Sequence, residues 1–170
     1  MYLGSQSGNT GLVALDADSG AERWRVTTGA VTGGPVVADD LVVVRSYSTV
    51  RAFDTAGEQR WTVTVPEPDP QAIAISDEHV FIPAGDRLYA IDQGGAEAWR
   101  HQVDDGRVGT PTVAGDAVVF QDGEGGLTAR AVTDGSERWT VTTEADGQPI
   151  VTAEALFQAS RRGVVGCGEN

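Results

Sequence analysis

Ala14-Leu15-Asp16-Ala17-Asp18-Ser19-Gly20-Ala21-Glu22-Arg23-Trp24 decides the fold, because its pattern returns three more times along the chain. Trp24, Trp61, Trp99 and Trp139 follow one another at intervals of 37, 38 and 40 residues, and each has a glycine four positions earlier: Gly20, Gly57, Gly95 and Gly135. A short apolar stretch precedes each glycine: Leu12 to Asp16, Val50 to Asp54, Leu88 to Asp92 and Leu127 to Ala131. Chance does not align alanine, aspartate, glycine and tryptophan at these offsets repeatedly. A fixed period of this length is the mark of a repeat architecture, and it takes precedence over any local reading.

Working outward from the tryptophan, every segment reads as strand. Gly34-Pro35-Val36-Val37-Ala38 is a short apolar run that turns at Asp39-Asp40 into Leu41-Val42-Val43-Val44-Arg45. Ser46 to Thr49 turn again, Val50 to Asp54 form a third strand, and Thr55 to Glu58 lead into Gln59 to Val65, which alternates with period two. No segment has a helical period. Four antiparallel strands in about 40 residues, repeated, predict an all-β propeller of four-stranded blades. The expected division is a partial blade over 1–28, blades over 33–65, 70–103 and 109–143, and a partial blade over 149–167 whose third strand is stunted. Four to five blades make part of a larger ring of seven or eight.

In such a blade the tryptophan has a structural task. It packs over the turn glycine of the neighbouring sheet, where a missing side chain leaves room, and its indole N–H finds a carbonyl. Asp16, Asp54 and Asp92 close the third strand, where a carboxylate accepts backbone N–H groups of the following turn.

The run Ala14-x-Asp16-x-x-x-Gly20-x-x-x-Trp24 resembles the tryptophan-docking motif of the quinoprotein-type, PQQ-like propellers. The second and third repeats match it with a turn one residue shorter, through Ala52, Asp54, Gly57 and Trp61, and through Ala90, Asp92, Gly95 and Trp99. The fourth keeps Ala129, Gly135 and Trp139 but has Ala131 in place of the aspartate, which predicts a less well tied turn. The resemblance spans nearly the whole chain and implies the fold rather than a chemistry. That family holds PQQ-dependent alcohol dehydrogenases, which use calcium with a Glu, an Asn and an Asp, and non-enzymatic assembly, sensor and surface proteins. Here the only asparagines are Asn9 and Asn170, Cys167 stands alone, and no position receives the catalytic set. The resemblance therefore implies a non-catalytic scaffold that binds a protein partner and needs no cofactor. Its alternative is a fragment of a PQQ- and calcium-dependent dehydrogenase. Family resemblance also leans towards an extracytoplasmic or cell-surface setting, although no signal peptide stands in this chain.

Composition narrows the partners. The chain has 25 acidic residues against 12 basic ones, every base is an arginine, and the net charge is −13. Such a surface repels nucleic-acid backbones and anionic membranes, and it is of the kind found in proteins adapted to high salt, where screening relieves self-repulsion. A single cysteine excludes an intrachain disulfide and a thiolate metal cluster.

Other constellations reduce to scaffold. Asp16-x-Asp18-x-Gly20 starts like a calcium loop but lacks the later oxygen ligands, with Thr27 where a bidentate Glu is required. The Asp122–Gly126 run is glycine-rich yet joins two strands and opens no helix. His79 and His101 have no second histidine or cysteine at ligand spacing and read as ordinary surface or edge residues. What remains is an acidic rim in the loops between blades, Glu67, Asp69, Asp104, Asp105 and Asp146, joined by Glu144. Asp86, Asp122 and Glu124 add to it from the turns between second and third strands, and the rim could recruit cations or a basic partner. An arc that does not close leaves apolar sheet faces at its two ends, which predicts self-association there.

Overall fold

The computed structural model describes residues 1–6, 11–67, 72–123, 126–142, 149–151, 155–160 and 163–168, the last three segments by their backbone. It contains five antiparallel sheets in chain order. The first is three-stranded: β1 (Tyr2–Gly4), β2 (Leu12–Leu15) and β3 (Glu22–Val26). Three four-stranded sheets follow. They are β4 (Val36–Ala38) to β7 (Gln59–Thr64) through β5 (Leu41–Ser46) and β6 (Thr49–Asp54), then β8 (Ala74–Ile75), β9 (His79–Ala84), β10 (Arg87–Asp92) and β11 (Glu97–Gln102), then β12 (Thr112–Ala114), β13 (Ala117–Asp122), β14 (Gly126–Ala131) and β15 (Glu137–Thr142). The fifth has β16 (Pro149–Val151), β17 (Ala155–Ser160) and β18 (Gly163–Gly168). β18 is not stunted: its six residues pair with β17 along the whole strand.

Within each sheet neighbouring strands are consecutive in the chain, and the short first strands β4, β8, β12 and β16 approach one another from sheet to sheet. They line the common axis, and β7, β11 and β15 run outermost. This is the radial arrangement of a β-propeller.

Burial follows from that placement. A second strand has a neighbouring sheet on each face, so β5 and β9 are buried at every position and read as continuous apolar runs. Val42 and Val44 point to the first sheet with Leu12, Val31 and Phe53, whereas Leu41 and Val43 point to the third with Val80 and Ile82. Phe81 and Leu88 repeat the pattern against Val118 and Phe120 of the fourth sheet. The outermost strands, open to water on one side, mostly alternate. The first four sheets also shift register once between their last two strands, after Ala14, Ala52, Ala90 and Ala129, just where the alanine of the repeat recurs. The added residue bends the outer strand and aims its tryptophan.

Candidate functional site

Two sets of residues were singled out in the sequence, and the structure places them apart: the repeat signature lies between sheets, and the acidic rim lies at one end of the sheets.

Between sheets, the Trp24 indole lies on Gly57 and donates its N–H to the Thr55 carbonyl at 2.8 Å. Trp61 does the same on Gly95 with the Gln93 carbonyl at 3.1 Å, and Trp99 on Gly135 with Val132 at 2.9 Å. A Cβ on Gly95 would stand 2.7 Å from Trp61, closer than any side chain tolerates, and its φ of 90° is one that glycine adopts without strain. In the first three turns a carboxylate at the end of the preceding strand ties the turn. Asp54 Oδ1 accepts from the N–H groups of Ala56 and Glu58, both at 2.9 Å, and Asp92 Oδ1 from those of Gly94 and Ala96. Asp16 takes Ser19 and Asp18 N–H groups and pairs with Arg23 at 2.7 Å. These bonds hold the Asp16 carboxyl well below the usual carboxylate range, the backbone N–H of Ser19 contributing most, and Asp54 is lowered chiefly by the N–H of Glu58.

The fourth turn, which carries Ala131, is tied by other means. Asp134 Oδ1 accepts the Ser136 N–H, and the Arg130 guanidinium donates to the Gly135 carbonyl, each at 2.9 Å. Arg138, left without that aspartate, pairs with Asp116 at 2.6 Å.

At the loop end, Asp104, Asp105 and Asp122 come together with Gly106 around an open cavity of about 560 Å³. Asp122 is in turn held by His101, whose Nε2 is 3.2 Å from Asp122 Oδ2 and whose ring lies against Phe120 of the next sheet. His101 is thus a cross-sheet residue rather than a surface one. Burial lowers its pKa despite the pull of Asp122. Glu67 is held separately, against Gly85 and 3.7 Å from Arg107. Asp69 and Asp146, and with them Glu124 and Glu144, lie outside the described residues. Among the described residues no three acidic, histidine or cysteine groups are arranged to hold a metal ion.

Three features of this end were missed in the sequence. Tyr47 is 61 % exposed with φ 55°, in the turn position that Gly85 and Gly123 fill in the next two sheets. With Gln6 and the 30–33 loop it lines a second cavity of about 380 Å³. Beneath it Arg45 is 1 % exposed and donates to the carbonyls of Tyr47 at 2.8 Å, Pro83 at 2.6 Å and Glu67 at 3.4 Å, bracing the turn against the third sheet. Val31, Ile73 and Val108 each plug the seam between two sheets from the connecting loop, and Val108 N–H bonds back to Gly85. The one signal for these was comparison of equivalent turn positions, where Tyr47 aligns with two glycines.

Radial four-stranded sheets joined by an outer-strand tryptophan define a propeller scaffold. The chain belongs to the PQQ-like β-propeller family: the family described as outer membrane protein assembly factor BamB matches residues 2–74 and 46–169. Its relatives include the serine/threonine-protein kinase AfsK of Streptomyces griseus, 26% identical over an alignment of 164 residues that covers 84% of this chain and 20% of the kinase. AfsK of Streptomyces coelicolor is 32% identical over 126 residues, 73% of this chain and 15% of the kinase. Among solved structures, BamB from Moraxella catarrhalis superposes with a TM-score of 0.73 at 23% identity over 98% of this chain and 60% of its own. The computationally designed Ika8 protein gives 0.79 at 14% identity, over 98% and 54%. The quinohemoprotein alcohol dehydrogenase ADHIIG from Pseudomonas putida gives 0.70 at 15% identity, over 90% and 36%. The chain thus spans a fifth or less of the kinases it matches and under two thirds of these solved chains.

Proposed function

We propose that this propeller scaffold is non-catalytic and binds a protein partner through the loops that connect its sheets. The observation that carries the reading is Tyr47, an exposed aromatic ring held in a backbone conformation that side chains other than glycine seldom adopt, and braced by a buried arginine. Backbone strain of this kind is kept where surrounding structure enforces it and where the displayed side chain is used, and tyrosines recur at the energetic centres of interfaces. The carboxylates at the same end add a field that favours a basic partner surface and speeds encounter. The kinship with an outer membrane protein assembly factor supports an assembly role of the same general kind.

The test compares capture of partners from extract by the whole chain and by Tyr47→Gly. Glycine relieves the positive φ, so the variant melts no lower than the parent, yet the captured protein should be lost, and Asp104→Asn with Asp105→Asn should weaken capture at low salt, the difference from the parent shrinking as salt rises. Equal capture by all variants would sink the reading. Adding PQQ with calcium addresses the dehydrogenase alternative: a bound chromophore and alcohol-dependent dye reduction would favour that one instead.

A further inference from the structure

The seam between the third and fourth sheets departs from its neighbour at three aligned positions. In the seam between the second and third sheets, Leu41 and Val63 face the next sheet, and Arg45 reaches across to the Pro83 carbonyl at 2.6 Å. Register with the repeat alanine sets His79, His101 and Pro83 in those three places one sheet further on. Both histidines of the chain therefore serve one seam. His101 replaces a valine that stands as Val26, Val63 and Val141 in the other sheets. His79 is 8% exposed and lies beside Phe81, and its Nδ1 is buried without a hydrogen-bond partner, with Glu78 3.9 Å away. Pro83 offers no side-chain donor in place of the Arg45 guanidinium, so this seam has no such clamp.

We infer that this seam is an acid-operated joint, which opens when His101 gains a proton while the seam between the second and third sheets stays closed. The charged groups that meet the His101 ring come from the fourth sheet. They are Asp122 on β13, 3.2 Å from Nε2, with Arg130 on β14 and Glu137 on β15, themselves 3.5 Å apart. Its own sheet sets Leu88 directly across from it. Burial and then the Arg130 charge hold the pKa of His101 below the ordinary histidine value, against the pull of Asp122 and Glu137. An opened seam frees the ring to take a proton near pH 6.5, so falling pH draws the equilibrium towards the open form. Opening parts Asp104 and Asp105, in the loop leaving the third sheet, from Asp122 of the fourth, and so takes apart the cavity they share. The joint is independent of what the loop face binds.

The experiment places a cysteine at equivalent sites of the two seams, Val118→Cys and Val80→Cys, in full chains carrying Cys167→Ser. Both valines are 0% exposed and face the preceding sheet. Labelling by dithiodipyridine, which reacts with thiols in acid, is followed from pH 7 to 5, and the ratio of the two rates removes the pH dependence of the chemistry itself. That ratio should rise about tenfold in favour of Val118→Cys. Adding His101→Gln, which cannot gain the proton, should hold the ratio constant, and His79→Leu should lower labelling at every pH while keeping the rise. Amide exchange on the unaltered chain, corrected for its intrinsic pH dependence, gives an independent reading. The N–H groups of Val108 and Gly109, bonded to Gly85 on one side of the seam and Gln121 on the other, should lose protection by pH 5. Those of Val31 and Thr32, bonded to Ser5 and Arg45, should keep it. A ratio flat with pH, a rise that survives His101→Gln or is abolished by His79→Leu, or equal loss of protection at both loops would each overturn the inference.

Discussion

Trp61 and Trp139 occupy the same place in the same repeat, yet one is 8% exposed and the other 39%. Trp61 has Gly95 beneath its ring and the Gln93 carbonyl on its N–H. The difference lies in the neighbour and not in the residue. A repeat of this kind cannot bury its own apolar face, so the tryptophan becomes core only when the next sheet presents a complete turn. Met1 and Leu3 teach the same lesson on the opposite face. Stability in such a chain is held at seams, and substitutions of equal chemistry should have unequal costs according to the seam they touch.

The largest effect should be Trp61→Ala. Removing a buried tryptophan costs about 3–5 kcal/mol in lost transfer and cavity terms. Trp139→Ala, which already leaves part of its ring in water, should cost less than half as much in the same urea melts. Equal losses would break the comparison. Arg45→Met comes next. The methionine keeps the aliphatic stem packed, but it leaves the carbonyls of Tyr47, Pro83 and Glu67 without that donor, for about 2–3 kcal/mol.

The contrast between what could be read in the sequence and what could not has the same origin. The strands, the sheets and the four tryptophans were legible because each repeat is local, and because turn glycine and indole recur at fixed offsets. Arg45 was not, since an arginine ending an apolar strand ordinarily reaches water; it is buried only because the third sheet brings the Pro83 carbonyl to it across 38 residues. The rim was legible as charge alone. That Asp104, Asp105 and Asp122 share one cavity, while Glu67 turns to Arg107, depends on loop paths that no periodicity encodes.

Acid should sharpen the distinction between turn and seam. Asp16 and Asp54 have carboxyl groups lowered in the folded state, so the stability they provide is present above the unfolded value of about 4 and is lost as pH falls below it. His101 is also lowered, by burial, and for a histidine this means the folded state favours the neutral ring. Its contribution is complete above about pH 6.5 and declines as pH drops through the lower folded value. Melting midpoints followed from pH 7 to 3 should therefore fall in two stages. His101→Gln should flatten the first stage alone, and Asp54→Asn part of the second. A single stage at low pH, unchanged by His101→Gln, would contradict the cross-sheet role of that ring.

The smallest effect expected is a gain. The fourth turn replaces the aspartate of its sister repeats by Ala131 and relies on Asp134, Ser136 and Arg130 instead. In Ala131→Asp the new carboxylate would stand where Asp16 stands in a turn of equal length, able to accept the N–H groups of Thr133 and Asp134 and to draw Arg138 from Asp116. Asp134 opposes it as a like charge nearby, and its own carboxyl is already lowered, first by the Ser136 hydroxyl. The two effects nearly offset, leaving about 0.5 kcal/mol of stabilisation, or a rise of roughly 1–2 °C, that should grow with added salt as the repulsion is screened. A loss instead would show that the Arg130 bond to the Gly135 carbonyl is a full replacement for the aspartate, and that the fourth turn is tied as firmly as the other three by a different set of residues.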